Sequence, residues 1–393
     1  MHPKRSCYSA GMRNLRSILL GLHALLAAAC LGAVPSAQAE AWQPADSSYA
    51  WHFPEDHWSH PNTKTEWWYL TAQLQDLDDP AAQFGMQFTL FRIGLTPEAP
   101  APGSAWSASD LVMGHAAIGE LAPGAGRHHF SEVLYRATPL LGGFGEYPDS
   151  LIAWCRAPAG TDGRWTLTWN GEAFDIAMAD SAQGLAYRLA TKPEKPLVFQ
   201  GPNGYSRKGA GPTSASQYVS FTRLTVEGTL RVGGRERRVR GLGWFDQEFG
   251  SNQLEPQQVG WDWFSLQLDD SRELMLYQLR DRAGRADWRR GTLVEKDGRV
   301  RYLAPGDWTL SPEGAWTSPA TKLRYPERWR LALPSAGLAL TIVPRLAAQE
   351  NASRLSGLHY WEGAVELRGA GGERLGQGYV EQTGVGGATR PSI

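Results

Sequence analysis

The sequence predicts an all-β protein, a sandwich or barrel of many short antiparallel strands. Three observations carry that expectation. The 393 residues include 44 Gly and 25 Pro, and segments with helical periodicity are scarce. Short runs rich in Trp, Tyr, Phe, Thr and Val recur at roughly 8–12-residue intervals, broken by Gly, Asp and Pro clusters. Both halves pair a Trp-rich acidic strand with a following apolar one, which hints at two similar barrels. The 17 Trp must line something, a core or a pocket.

The N-terminus reads as a targeting segment rather than part of the fold. Met12–Arg16 is basic, Ser17–Val34 is almost uninterruptedly apolar, and "PSAQA" ends in an Ala-x-Ala site before Glu40. Residues 1–39 are therefore expected to be a cleavable signal peptide, with Met12 as an alternative start, and the protein periplasmic or secreted. A weaker reading makes Cys30, at the end of "LAAAC", a lipoprotein site. No later apolar stretch is long enough for a membrane-spanning helix. Cys7 and Cys30 fall in the leader, so the mature chain keeps only Cys155 and has no disulfide framework. Stability must then come from a buried core, which a chain of this size can build. A formal net charge of -1 gives no electrostatic reason to expect nucleic acid or an acidic membrane as partner.

The strand candidates follow in order. "TEWWYLTAQL" (Thr65–Leu74) and "FGMQFTLFRIGL" (Phe84–Leu95) flank a polar loop. Then come "MGHAAIGEL", "RWTLTWN", "EAFDIAM" and "LAYRLAT", and Ser216–Val232 is the longest clean alternation. A charged turn, Gly233–Arg238, leads into "GWFDQEFGSNQLEPQQVGWDWFSLQL" (Gly243–Leu268), followed by "ELMLYQLRD", "RWRLAL", "LALTIVP", "YWEGAVELRG" and "GYVEQTG". One pairing is specific. Folding the first two strands so that Leu74 meets Phe84 brings Glu66 opposite Arg92 on the apolar face, predicting an ion pair at one barrel end. Such a pair closes the barrel or, together with Trp68, holds a ligand.

Several chemistries are excluded by missing motifs. There is no Gly-x-Ser-x-Gly elbow, His-Glu-x-x-His helix, Walker loop or dinucleotide-binding glycine pattern, and no cofactor is expected. His52, His57 and His60 cluster in "HFPEDHWSH", but a Pro-flanked loop in which no cysteine or strand-held carboxylate completes a familiar spacing favours capping or core histidines over a metal site. The acid-rich block is the better candidate. On a strand, Trp244, Asp246 and Glu248 share one face and Phe245, Gln247 and Phe249 the other. Simple alternation favours the acids facing water. In a dry pocket, instead, one carboxyl would have a raised pKa and two would split theirs. Downstream, the hairpin through Asp269–Arg272 places either Trp261 opposite Arg280 or Trp263 opposite Tyr277, depending on loop parity. Either way an aromatic cluster forms, with Asp262 on the alternate face.

The motifs "FPEDHWSHPNTKTEWWYLTAQL", "FGMQFTLFR", "GYSRKG", "GWFDQEFGS", "GWDWFSLQLDDSRELMLYQLR" and "YWEGAVEL…GYVEQTG" resemble those of the predicted secreted hydrolases. That family comprises lipocalin-like (AttH-type) proteins related to carotenoid 1,2-hydratase. The resemblance spans nearly the whole mature chain. It implies two lipocalin-like (calycin-type) antiparallel β-barrels packed side by side, here over residues 40–232 and 233–393, and an accessory role beside an ABC-type export permease. The hydratase branch carries Asp-His-Asn-Trp on a strand and a later Tyr-x-Asp. Here the corresponding residues are Asp246-Gln247-Glu248-Phe249 and Tyr277-Gln278-Leu279. Gln247 replaces the His and Leu279 the second Asp; neither can protonate an alkene, which disfavours carotenoid hydration.

Two functions follow as expectations. One is an exported protein binding a hydrophobic small molecule or lipid, isoprenoid-like in character. The other is an enzyme acting on such a molecule by acid catalysis, with Asp246, Glu248 and Tyr277 as acid candidates. In both, Trp244, Trp261, Asp262, Trp263 and Arg280, with Glu66, Trp68 and Arg92, are the expected ligand contacts. Inward-facing Asp246 or Glu248 in an enclosed pocket would favour the enzyme.

Overall fold

The structure, a computed structural model, describes residues 42–97, 104, 107–122, 124 and 126–387. The expected leader, with Cys7 and Cys30, lies outside the described residues. The described chain is all-β, with a few single-turn 3-10 segments. It forms one 13-stranded and one 10-stranded antiparallel sheet plus a two-stranded ribbon, and each large sheet curls toward a barrel. No helix among the described residues is long and apolar enough to cross a membrane.

The strands that carry the site are β1 (Thr65–Asp76), β2 (Gln83–Gly94), β3 (Asp110–Glu120), β4 (Ala215–Val232) and β5 (Arg235–Asn252) in the first sheet. In the second they are β6 (Gln258–Leu268), β7 (Glu273–Asp281), β8 (His359–Arg368) and β9 (Arg374–Thr383). The central order is β3-β2-β1-β5-β4 in one sheet and β7-β6-β9-β8 in the other. The expected boundary after Val232 falls at a hairpin inside the first sheet, because β5 pairs with both β4 and β1. The chain crosses between sheets at residues 253–257, so the opening stretch of the acid block belongs to one sheet and its Trp261–Trp263 end to the other.

The register of β1 and β2 matches the expectation: Leu74 lies opposite Phe84 and Glu66 opposite Arg92. Trp263 lies opposite Tyr277, which selects the odd-parity hairpin. Period-two alternation then assigns each face. Trp68, Leu70, Leu74, Phe88 and Phe245 point into the first barrel's core, where Cys155 is also buried. Phe264, Leu266, Trp329 and Trp361 point into the second. The opposite faces of β1, β5, β6 and β9 do not meet water. They meet each other, and Tyr69, Tyr218, Trp244, Trp263, Tyr277 and Tyr379 form a third cluster between the sheets. Strands buried on both faces lose the apolar-in, polar-out signal that marks a half-exposed sheet.

The two central sheets are related residue by residue. "GWFDQE" (243–248) on β5 and "GYVEQT" (378–383) on β9 occupy equivalent places. Asp246 pairs with Tyr69 and Ser220; Glu381 pairs with Trp263 and Glu362. Both glycines are required by close approach: a Cβ on Gly243 would lie 2.6 Å from Val226 Cγ2, and one on Gly378 2.2 Å from the Ser265 carbonyl oxygen. Gln73 donates across the junction to the Val365 and Gly378 carbonyls at 2.8 and 2.9 Å. Its counterpart Gln267 donates back to Thr222 and Gly243 at 2.9 and 2.8 Å. Each such bond contributes about 1 kcal/mol net, and leaving these buried groups unpaired would cost more.

Candidate active site

Each barrel holds one buried acid–arginine pair braced by a glutamine. In the first, Arg92 Nε lies 3.7 Å from Glu66, while its other nitrogens hold Asp110 at 2.6 Å and the carbonyls of His60 and Thr63. Gln247 donates to Glu66 at 3.1 Å. In the second, Arg280 Nε reaches Asp262 at 3.1 Å, and Gln382 donates to the same carboxylate at 3.0 Å. These pairs face the barrel cores. Glu66, Trp68, Asp262 and Arg280 are not among the residues lining the cavity described below, whereas Arg92 is. Trp68 is wholly buried and donates to the His57 carbonyl at 2.9 Å.

The three clustered histidines separate. His52 is exposed. His57 is buried against Gln247 (3.0 Å), and burial pushes it down to about 4 despite that hydrogen bond. His60 stacks on Phe249 with ring centroids 3.5 Å apart. One His60 ring nitrogen faces Glu66 at 2.8 Å and the other Asp56 at 3.4 Å. Burial alone would lower its pKa, but the Glu66 and Asp56 charges outweigh that and raise it to about 9 from 6.5. The sign of the stability effect follows: a group that binds its proton more tightly when folded stabilises below its unfolded pKa and loses that contribution as pH rises through the folded one. The urea midpoint is expected to fall between pH 6.5 and 9. Glu66→Gln should flatten that slope. A midpoint that does not move across this window in the wild type would refute the ionic assignment.

A cavity of about 260 Å³ lies between the sheets. Its wall is largely aromatic, with Trp67, Tyr69, Phe91, Trp261, Trp263 and Tyr277 prominent. Asp246, Glu248, Glu362 and Glu381 all face it. The acids of β5 are therefore turned neither to water nor into a barrel core; they are buried where the sheets meet.

Asp246 accepts hydrogen bonds from Tyr218 (2.6 Å), Ser220 (2.5 Å) and Trp244 (2.7 Å). Burial nonetheless outweighs those bonds and raises its pKa to about 7. A carboxyl so placed exchanges its proton near neutrality, as general acid–base chemistry requires. Glu248 differs. Its carboxylate is committed to Lys208 at 2.6 Å and to Ser216. Burial opposes the charge on Lys208, but Glu248 outweighs it and raises the Lys208 pKa. The ammonium also lies 4.5 Å from the Tyr277 ring centroid and 5.0 Å from that of Tyr218. Tyr277 donates to the Arg207 carbonyl at 2.6 Å, so its ring forms wall while its hydroxyl is engaged by backbone. Trp244 stands behind the wall and orients Asp246. Trp261 and Trp263 line it, donating to Glu381 (2.9 Å) and the Tyr218 hydroxyl (3.0 Å).

Of the sequence candidates, Asp246, Glu248, Tyr277, Trp261 and Trp263 line this one cavity, with Arg92, whereas simple alternation favoured water-facing acids. Sequence reasoning passed over Lys208, Tyr218, Tyr69, His115, Tyr360, Glu362 and Glu381. A signal existed for Glu381: aligning "GYVEQT" with "GWFDQE" puts it at the position of Asp246.

The AttH-like family model matches residues 44–385. The crystal structure of a protein described as an AttH from Nitrosomonas europaea superposes with a TM-score of 0.73 at 29% identity, covering 87% of this chain and 99% of that one. Kievitone hydratase from Nectria haematococca aligns with a TM-score of 0.61 at 12% identity, over 87% of this chain and 95% of that one, a likeness of fold. Curated protein sequences gave no match. The chain belongs to the AttH-like family.

Proposed function

We propose that this AttH-like chain binds an apolar, isoprenoid-like or lipid-like molecule between its two sheets and acts on it by acid catalysis. The observation that carries this reading is the set of carboxyls facing an aromatic cavity with too little basic charge to neutralise them. Lys208 compensates Glu248. Among the described residues Asp246, Glu362 and Glu381 form no salt bridge, although the Lys208 charge is felt at Asp246. A carrier for greasy ligands gains nothing from burying such groups, because desolvating them is unfavourable. An acid catalyst needs them.

The reaction class is protonation of a carbon–carbon double bond and addition of water. Aromatic faces attract the cation that develops. A neighbour in fold is named a hydratase; for this chain the support is its own carboxyls. The leader-like N-terminus supports export as part of the proposal, and the family resemblance supports work beside an ABC-type permease.

The test is wash-in of solvent deuterium. The purified protein, incubated in heavy water with a panel of acyclic isoprenoid alkenes and alcohols, is expected to place deuterium on carbon in at least one of them. Tight binding of a panel member with no deuterium in any would reduce the protein to a carrier.

A further inference from the structure

We propose that Glu362, sharing one proton with Glu381, is the proton donor of this cavity, and that Asp246 is the base on the water side. This rests on the acid-catalysis reading above and divides its two proton transfers between named groups.

Glu362 and Glu381 are direct cross-strand partners on β8 and β9. Residues so paired hold their Cβ atoms about 5 Å apart, and like charges there repel. Glu362 is buried and Glu381 half-buried, and both pKa values are pushed up, chiefly by desolvation with neighbouring carboxylate charge adding to it. The shared proton resolves the conflict, as in other close carboxyl pairs. Glu381 is the engaged member, accepting from Trp261 Nε1 at 2.9 Å. Glu362 is held more loosely: the Tyr69 hydroxyl interacts with it, but its Oε1 makes no hydrogen bond of good geometry.

Two more under-satisfied polar atoms stand on the same wall. The Tyr69 hydroxyl, from β1, leans on Glu362 without closing a hydrogen bond of good geometry, and His115 Nε2, from β3, has no partner among the described residues. His115 is anchored through Nδ1 to the Tyr360 hydroxyl at 2.7 Å. Buried polar groups in folded proteins are almost always paired. Glu362, Tyr69 and His115, under-satisfied side chains of residues that line one cavity, mark the place where a ligand's polar end, or the reacting water, would complete the set.

Asp246 has the opposite character. Both of its oxygens already accept hydrogen bonds, an arrangement that favours the anion and so a base. The sequence then balances. The alkene's electron pair takes the proton from Glu362, forming a C–H bond and leaving the pair as carboxylates with a carbon cation beside them. Water attacks the cation through oxygen, and Asp246 accepts the proton released. That proton returns to the Glu362–Glu381 pair through solvent, and the net change is addition of one water.

Infrared difference spectroscopy of the whole protein reads the shared proton without any substrate. At pH 9, where Asp246, at about 7, has given up its proton, the wild type should still show the carbonyl stretch of a buried carboxylic acid, shifted in heavy water. Glu362→Gln should lose that band while keeping the native melting transition, since the amide matches the shape of the acid. Retention of the band in Glu362→Gln would overturn the assignment. In the deuterium assay, Glu362→Gln should lose label incorporation at least tenfold. Unchanged incorporation would overturn Glu362 as donor yet leave acid catalysis standing. An intact band with no incorporation in the wild type would instead sink the catalytic reading.

Discussion

Asp246→Asn is expected to lower solvent-deuterium incorporation by about 10²–10⁴-fold, the usual contribution of a general acid or base. The substitution is nearly isosteric, and the fold should survive it. Trp244 Nε1 and the Ser220 hydroxyl, 2.7 and 2.5 Å from Oδ1, can still donate to the amide oxygen. The Tyr218 hydroxyl, 2.6 Å from Oδ2, can turn to accept from the new amide nitrogen. What is lost is the capacity to take a proton near neutrality, which burial confers by raising the carboxyl to about 7. Ligand binding should change little, because the apolar wall is untouched. Native incorporation in the variant would remove Asp246 from the mechanism, whatever the role of Glu362.

The largest stability effect is expected from Glu273→Ala, about 3–5 kcal/mol, the range for stripping one partner from a buried ionic cluster. Glu273, at the start of β7 in the second sheet, is fully buried. It holds Lys195 at 2.8 Å and Arg223 through its other oxygen. Both cations come from the first sheet's side of the junction and are themselves at least nine-tenths buried. Lys195 also donates to the Ser271 and Glu295 carbonyls, and Arg223 to Leu268. Alanine would leave two buried positive charges without their counter-ion and free the two sheets from their strongest ionic tie. The urea unfolding midpoint measures this. A loss below about 1 kcal/mol would mean the cluster is hydrated or rearranges, and that the apolar junction alone holds the sheets together.

Much of the architecture was legible because β-structure writes itself in period two. The Glu66–Arg92 register followed from matching two apolar faces around one loop, and the hairpin at Asp269–Arg272 offered only two parities. The orientation of Asp246 and Glu248 was not legible, for a physical reason. Alternation separates a polar from an apolar face, but it equates polar with wet. In β5 the Phe245 face fills a barrel and the Asp246 face fills a junction, so both are buried. The transition between sheets was hidden similarly: the charged turn after Val232 looks like a domain boundary yet is a hairpin tip, whereas the true crossing is the inconspicuous "QLEPQ". Lys208 lay within the quoted "GYSRKG", but nothing local reveals that its ammonium reaches Glu248 on a strand far along the chain. Gln247, the departure from the hydratase pattern, is a brace between His57 and Glu66 inside the first barrel. Its identity therefore bears on the barrel's ion pair, and the cavity's acids lie on the other face of the strand.

The ligand is expected to lie between the sheets, against the carboxyls, with the barrel cores filled by their own side chains. The most direct measurement is a crystal structure of the protein with farnesol, an acyclic isoprenoid alcohol that carries both an apolar chain and double bonds. The predicted density runs along Trp263 and Tyr277 with a double bond within reach of Glu362 and Asp246. Farnesol lodged instead among Leu70 and Phe88, or among Phe264 and Trp329, would contradict the account.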